Sequence, residues 1–432
     1  MNVKNEDKNR MTPDRTGAVE EATAMRTKFR PGRRDILLGG GAALAPMLLR
    51  RTAAQPATPL RIGVLGDFSG PYSGISGAGT VTAARLAIDD FGGSVLGRPI
   101  EIVTGDHLNK PDVGLSIVRE WFGPGNVSMI TDVANTAIAL GIQPLLTETH
   151  RIALYTTVGS SELIGKACSP LSVLWGQDTW ANTVAPVRAL LKQGKTSYFL
   201  IAADYAFGKA LESDATTAIQ AGGGKVLGVA RHPLHASDFS SLLLSAQTSG
   251  AEVVMLLNGG VDFTNSFKQA VEFRLTQKQA VVGPIVFLSD IHSLGLETAQ
   301  GLQFMQSWYW DQNDTTRAWA KRYFAEQKAM PNDTHASGYS AVMQYLRAVQ
   351  RAKTDNAEAV MAALHAATIS DMFAPQGHIR TDGKMVFDRF LVKVKAPSES
   401  KGEWDCLTIG GTVPAAEGFR PLSESECHLV RT

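Results

Sequence analysis

Short apolar runs and longer amphipathic stretches take turns along most of the chain. The first apolar run is Arg61-Ile62-Gly63-Val64-Leu65-Gly66, followed by Ile100–Thr104, Ser128–Thr131 and Ile152–Tyr155. Such short runs, rich in Val, Ile and Leu, predict strands, and unbroken hydrophobicity suits strands buried on both faces. Between them, stretches at about 77–91, 112–122 and 136–149 carry helical spacing; in the first, Val81, Ala84, Ile88 and Phe91 share one face. Strands alternating with helices predict βαβ units around a parallel sheet.

The rhythm then restarts. Strands are predicted at Ser197–Ala202, Lys225–Ala230, Glu252–Leu257 and Pro284–Leu288, with helices at about 208–221, 238–249 and 262–274. Two successive blocks predict an α/β protein of two similar Rossmann-like lobes, each with a parallel central sheet. After Trp310 helical patterns run at about 315–329, 335–352 and 356–367, and Gly377–Lys395 reads as turn and strand around Thr381-Asp382-Gly383-Lys384. If those late helices return to the first lobe, the chain crosses between lobes several times and forms a hinge. The resulting division is 58–178 plus about 312–370 for lobe 1, 179–311 plus about 371–395 for lobe 2, and a surface tail over 396–432.

Residues 1–54 change the picture of charge and address. They hold 11 of the 42 Lys+Arg and 6 of the 41 Asp+Glu, so the remainder is mildly acidic, with 31 basic and 35 acidic residues. That balance lacks the basic patch a nucleic-acid partner calls for. Arg33-Arg34-Asp35-Ile36 precedes a 14-residue apolar run, Ile36–Leu49, then the small residues Thr52, Ala53 and Ala54. This is signal-peptide order, and the run falls short of the about 20 residues a spanning helix needs. The paired arginines resemble a twin-arginine (Tat) signal, which predicts cleavage near Ala54, delivery to the periplasm and the Tat export machinery as a partner. An uncleaved membrane anchor is the alternative.

Enzyme signatures are missing at the sequence level. Gly222-Gly223-Gly224-Lys225 precedes a strand, where a phosphate loop must follow one, and reads as a helix C-terminal turn. Gly74-Ile75-Ser76-Gly77-Ala78 lacks the last glycine of a nucleophile elbow. His232 and His235 flank Pro233, which disfavours a shared helical face for a metal. No cofactor, metal or catalytic residue is expected. Of the three cysteines, Cys168, Cys406 and Cys427, one pair can bridge in an oxidising compartment. A Cys168–Cys427 bridge would pin the tail to lobe 1, and Cys406 can replace either partner.

Several stretches resemble the leucine/isoleucine/valine-binding protein family, the type I periplasmic solute-binding proteins of ABC importers. They are Leu60–Gly70, Asp89–Gly97, Gly105-Asp106, Ala203–Gly208 and Gly377 with Phe387-Asp388, spread over about residues 60–395. The resemblance implies a monomer with a ligand cleft between the lobes that closes on a small carboxylate-bearing solute and hands it to an inner-membrane permease. A sensor presenting its closed form to a membrane receptor, and a periplasmic enzyme on the same scaffold, are the alternatives. The implied site has Ile75 in the loop after the first strand, Asn135, Thr136 and Ala137 after the third, and Val158 and Ser160 after the fourth. Helix N-termini follow the last two loops and suit a carboxylate, although Asn, Thr and Ser also serve there as ordinary caps. Lobe 2 would add Tyr205, Phe207, Gly260 and, at the end of a strand, Asp290, which would pair with a ligand ammonium or else cap the helix from Ile291. Gln177 lies in the aromatic stretch Trp175–Trp180, whose tryptophans either stack on a planar ligand or pack the hinge. Asn-Thr-Ala stands where the amino-acid binders commonly have Ser-Ser-Thr, and lobe 1 lacks their cysteine pair. Aromatic and other small organic acids therefore join amino acids as candidate ligands.

Overall fold

A computed structural model describes residues 58–430; the segment read as a twin-arginine signal lies outside them. The first sheet runs, in order across it, Ser94–Val95, Arg98–Asp106, Leu60–Gly66, Val127–Asp132, Ile152–Tyr155 and Ser172–Leu174. All pairings are parallel except that of Ser94–Val95, and Ile62 faces Ile102 on one side and Met129 on the other. The interior strands Val127–Asp132 and Ile152–Tyr155 are buried throughout, which explains their unbroken hydrophobicity.

The second sheet runs Ala280–Val282, Val253–Leu257, Ser197–Ala203 and Lys225–His232, again all parallel. Among the parallel strands of each sheet, the first in the chain lies between the second and the third. Successive connections therefore leave it in opposite directions, and open α/β sheets leave a crevice at that switch point, outside the carboxyl ends of the strands. Asp314–Gln327, Asp333–Ala352 and Ala357–His365 place Trp319, Tyr323, Val342, Leu346 and Leu364 in the core of the first lobe.

The chain passes between the lobes three times before Lys395. The helix Thr179–Lys192 begins with Trp180 in the first core and then places Val187 in a separate lobe 2 core with Leu200 and Leu257. Phe304 packs in the second core and Trp308 in the first. Phe387 packs in the first and Val392 in the second.

The division expected from sequence shifts at its late boundary. Phe373, Ile379, Met385, Val386 and Phe387, expected with lobe 2, pack in the first core. The hairpin His378–Ile379 with Met385–Val386 is anchored there by a bridge between Lys384 and Leu174. The region after 396 is more than a surface tail. Leu407–Val413 pairs antiparallel with Arg389–Val394, which pairs in turn with Gln303–Gln306, and Leu407 fills part of the second core. Lobe 2 thus gains a small antiparallel sheet. Further on, Cys427 is bridged to Cys168, and Cys406 remains a buried free thiol. The strand predicted at Pro284–Leu288 also moves: Ala280–Val282 is the strand, and Leu288–Leu294 is a helix. Pro284 supplies no backbone N–H for a ladder.

Candidate functional site

The cleft between the lobes is built by loops at the carboxyl ends of the strands. The central clamp is Asp132, the last residue of Val127–Asp132. Its buried carboxylate accepts hydrogen bonds from Ser76 Oγ at 2.9 Å, the Gly77 N–H at 2.8 Å and Thr157 Oγ1 at 2.5 Å. One side chain thereby ties together the loops after three neighbouring strands. Burial raises its carboxyl to about 6, against the opposing pull of these bonds. The backbone here is strained: Asp132 and Val133 have φ of 77° and 58°, a region a β-branched residue rarely enters. Gly77 meets the same crowding with φ 61°, and a Cβ there would stand 2.5 Å from the Asp67 carbonyl oxygen.

The loop after the first strand is shaped by Asp67, which accepts from the N–H groups of Gly70 and Tyr72 and from Asn109 Nδ2. It presents Tyr72 and Ile75 to the cleft. Next along the wall come Ala134 and Thr136, then Thr157, Val158 and Gly159. Asn135 stands behind them as the cap of helix Thr136–Thr149, with its Oδ1 accepting the Ile138 N–H at 3.2 Å. The amides of Thr136 and Ala137 precede Ile138 in that first turn, where a helix offers no internal acceptor. Thr136 Oγ1 is buried and has no partner among the described residues. Ser160 is fully buried beside the cleft-facing Gly159, and its hydroxyl is likewise without a partner.

Gln177 faces the cleft from the first crossover. Its Nε2 donates to Asp333 Oδ2 at 2.7 Å, and its Oε1 accepts from Asn182 Nδ2 at 2.6 Å. Asn182 Oδ1 accepts from Arg389 of the third crossover, and Asp333 also takes the N–H of Ser307 in the second. A buried polar network thus links all three crossovers to one cleft residue. Burial sets its charges: Asp333 rises to about 6 and Arg389 falls to about 10. Nearby, the fully buried Lys384 falls to about 7 and donates to the carbonyls of Leu174 and Gly176.

From lobe 2 come Phe207, Ile285 and Phe287, completing the cleft. Tyr205 meets the other lobe directly: its hydroxyl is hydrogen-bonded to that of Tyr72, and burial pushes both phenols well above their usual range. Gly260, with φ 60°, is a point of lobe contact, where a Cβ would lie 2.7 Å from the Pro71 carbonyl oxygen.

Of the residues expected at the site, Ile75, Thr136, Val158, Gln177 and Phe207 face the cleft. Asn135, Ala137, Ser160, Tyr205 and Gly260 adjoin those that do. Asp290 does not: it sits in the first turn of Leu288–Leu294, where its Oδ2 accepts the Phe287 N–H at 2.9 Å, the capping alternative. Its burial without a cationic partner raises the carboxyl to about 8. Trp175 and Trp180 also turn away and pack in the first core, with Trp175 Nε1 donating to Ser340 Oγ. Sequence reasoning missed Tyr72, Ile285 and Phe287 as site residues. The last two carried a signal, because they alternate with Val286, which packs in a different core.

Comparison with known proteins follows from this geometry. The periplasmic binding protein family profile matches residues 59–403. A solved periplasmic binding protein from Burkholderia mallei is 43% identical, with a TM-score of 0.84 over 86% of this chain and 99% of that one. A branched chain amino acid ABC transporter periplasmic ligand-binding protein from Burkholderia xenovorans is 37% identical, with a TM-score of 0.77 over 86% of this chain and all of the other. The Leu/Ile/Val-binding protein homolog 6 of Brucella melitensis is 26% identical over 265 residues, 60% of this chain and 67% of its own length.

Proposed function

This chain belongs to the periplasmic binding protein family, and from that premise we propose that it is the solute-binding protein of an ABC importer. In this reading residues 1–54 direct twin-arginine export, and the mature monomer captures a small carboxylate-bearing solute in the periplasm and delivers it to a permease. The protein carries out no covalent chemistry. The relatives' roles in ABC transport support the class of function.

The observation that carries the ligand reading is Thr136. Thr136 lines the cleft at the first turn of a 14-residue helix, and its buried hydroxyl is unpartnered among the described residues. Exposed N–H groups and the helix dipole there favour an anion. A ligand carboxylate takes the Thr136 hydroxyl and the first-turn amides, and its apolar body lies against Tyr72, Phe207, Ile285 and Phe287. The lobes then close about the three crossovers, because the closed form gains contacts with the solute that an open one lacks.

A thermal-shift screen over amino acids, aromatic acids and short organic acids, followed by calorimetry, tests this. The expected hit bears a carboxylate, and Thr136→Ala weakens it by about tenfold or more, as fits the roughly 1.5–3 kcal/mol of a hydrogen bond to a charged group. Unchanged affinity in Thr136→Ala would place the carboxylate elsewhere.

A further inference from the structure

The cleft is bounded by uncharged residues. Tyr72, Phe207, Ile285 and Phe287 form its apolar wall. Its polar side chains are Thr136, Thr157 and Gln177, and the last two already bond to Asp132 and to Asp333.

Buried carboxylates are nevertheless plentiful in the segments that build it. Asp67, Asp132, Asp178, Asp262, Asp290 and Asp333 are all at most 5% exposed, and among the described residues none of them lines the cleft. Each is occupied in holding a wall in place. Asp67 and Asp132 shape the first-lobe loops, and Asp290 caps its own helix. Asp333 takes Gln177 and Ser307 in the field of Arg389. Asp262 accepts the His235 N–H at 3.3 Å and lies in the field of His232.

An ammonium group entering this cleft meets aromatic and aliphatic carbon and three neutral polar side chains, with no carboxylate among the described lining residues to replace its water. Burying an unpaired charge is far more costly than burying a methylene in the same place. A carboxylate has the opposite fate at the Thr136 helix terminus. Building on the carboxylate reading above, we infer that the cleft selects carboxylates that carry no ammonium group, such as aryl- and branched alkanoates, over the α-amino acids of the same skeleton.

Matched pairs test this by calorimetry on the purified protein: 3-phenylpropanoate against L-phenylalanine, 4-methylpentanoate against L-leucine, and succinate against L-aspartate. Within each pair the compounds differ by one ammonium. The expected result is that in any pair that binds, the ammonium-free acid binds at least about 100-fold more tightly. An amino acid binding as tightly as its partner overturns the inference and leaves the carboxylate reading standing. It would point to Asp178, Asp262 or Asp333, each with one carboxylate oxygen lacking a partner among the described residues, as the ammonium site. Binding by no member of any pair overturns both readings.

Discussion

At the residue scale, one kind of side chain appears in different roles according to its surroundings. Asp132 clamps three loops, Asp333 anchors a network and Asp290 caps a short helix, and all three are buried. Asp290 shows the consequence most clearly, because its carboxyl is raised from 3.8 to about 8 by burial. Between those values the folded chain keeps a proton that the unfolded chain releases. The stability contributed by the neutral carboxyl is therefore complete below about pH 4 and is lost as pH rises towards 8. Asp290→Asn is neutral throughout and can still accept the Phe287 N–H. Urea unfolding from pH 4 to pH 8 should show a shallower decline in stability for Asp290→Asn, with a difference on the order of a few kcal/mol. Asp132, Asp214 and Asp333, each raised to about 6, keep some slope in the variant. Ligand affinity should stay within about twofold of wild type, since Asp290 is outside the cleft; an identical pH slope in both proteins would contradict the burial argument.

At the element scale, the segment after Lys395 joins the two halves. Leu407–Val413 extends the small sheet of lobe 2, Phe419 packs in the first core, and Arg420 reaches Asp214 on the lobe 2 helix Ala206–Ala221. The Cys168–Cys427 bridge then fixes the end of this segment to lobe 1 across 259 residues of sequence. Cross-links over long loops restrict the unfolded chain strongly, so Cys427→Ser should lose roughly 2–5 kcal/mol in denaturant unfolding under oxidising conditions. Cys406→Ala, which removes the free thiol, should lose much less. Equal midpoints for Cys427→Ser and wild type would show that the bridge contributes nothing to stability. The elements that the sequence missed belong to the same class of connections. Ser172–Leu174 is three residues long, and Thr179–Lys192 carries Pro186 in its interior, so neither has a clean period to read.

At the scale of the whole molecule, the two lobes meet through the Tyr72–Tyr205 hydroxyl pair, the Gly260–Pro71 contact and Asn332. Asn332 joins Gly74 of lobe 1 to Ser289 of lobe 2. These contacts close the cleft rim while Gln177 connects its floor to the crossovers. If the lobes move as proposed, the ligand-free protein in solution is more open than this form. Small-angle X-ray scattering should then show a smaller radius of gyration at saturating ligand. Superimposable curves with and without ligand would remove hinge closure from the mechanism.

The architecture was legible in the chain because it rests on local periodicity. Buried parallel strands need unbroken Val, Ile and Leu, and the helices covering them need an apolar stripe, so the two α/β blocks could be read residue by residue. The cleft was legible only in part. Thr136, Val158, Gln177 and Phe207 follow strand ends or fall near a crossover, where such folds place ligands, but Tyr72, Ile285 and Phe287 become site residues only when one lobe is set against the other. Asp290 reads from the chain as a ligand group, with a helix cap as the alternative, and only the folded chain shows its carboxylate taking the Phe287 N–H away from the cleft lining. Which side chains meet across a gap, and which buried acids turn away from it, depends on pairs far apart in sequence, and no local pattern encodes that distance.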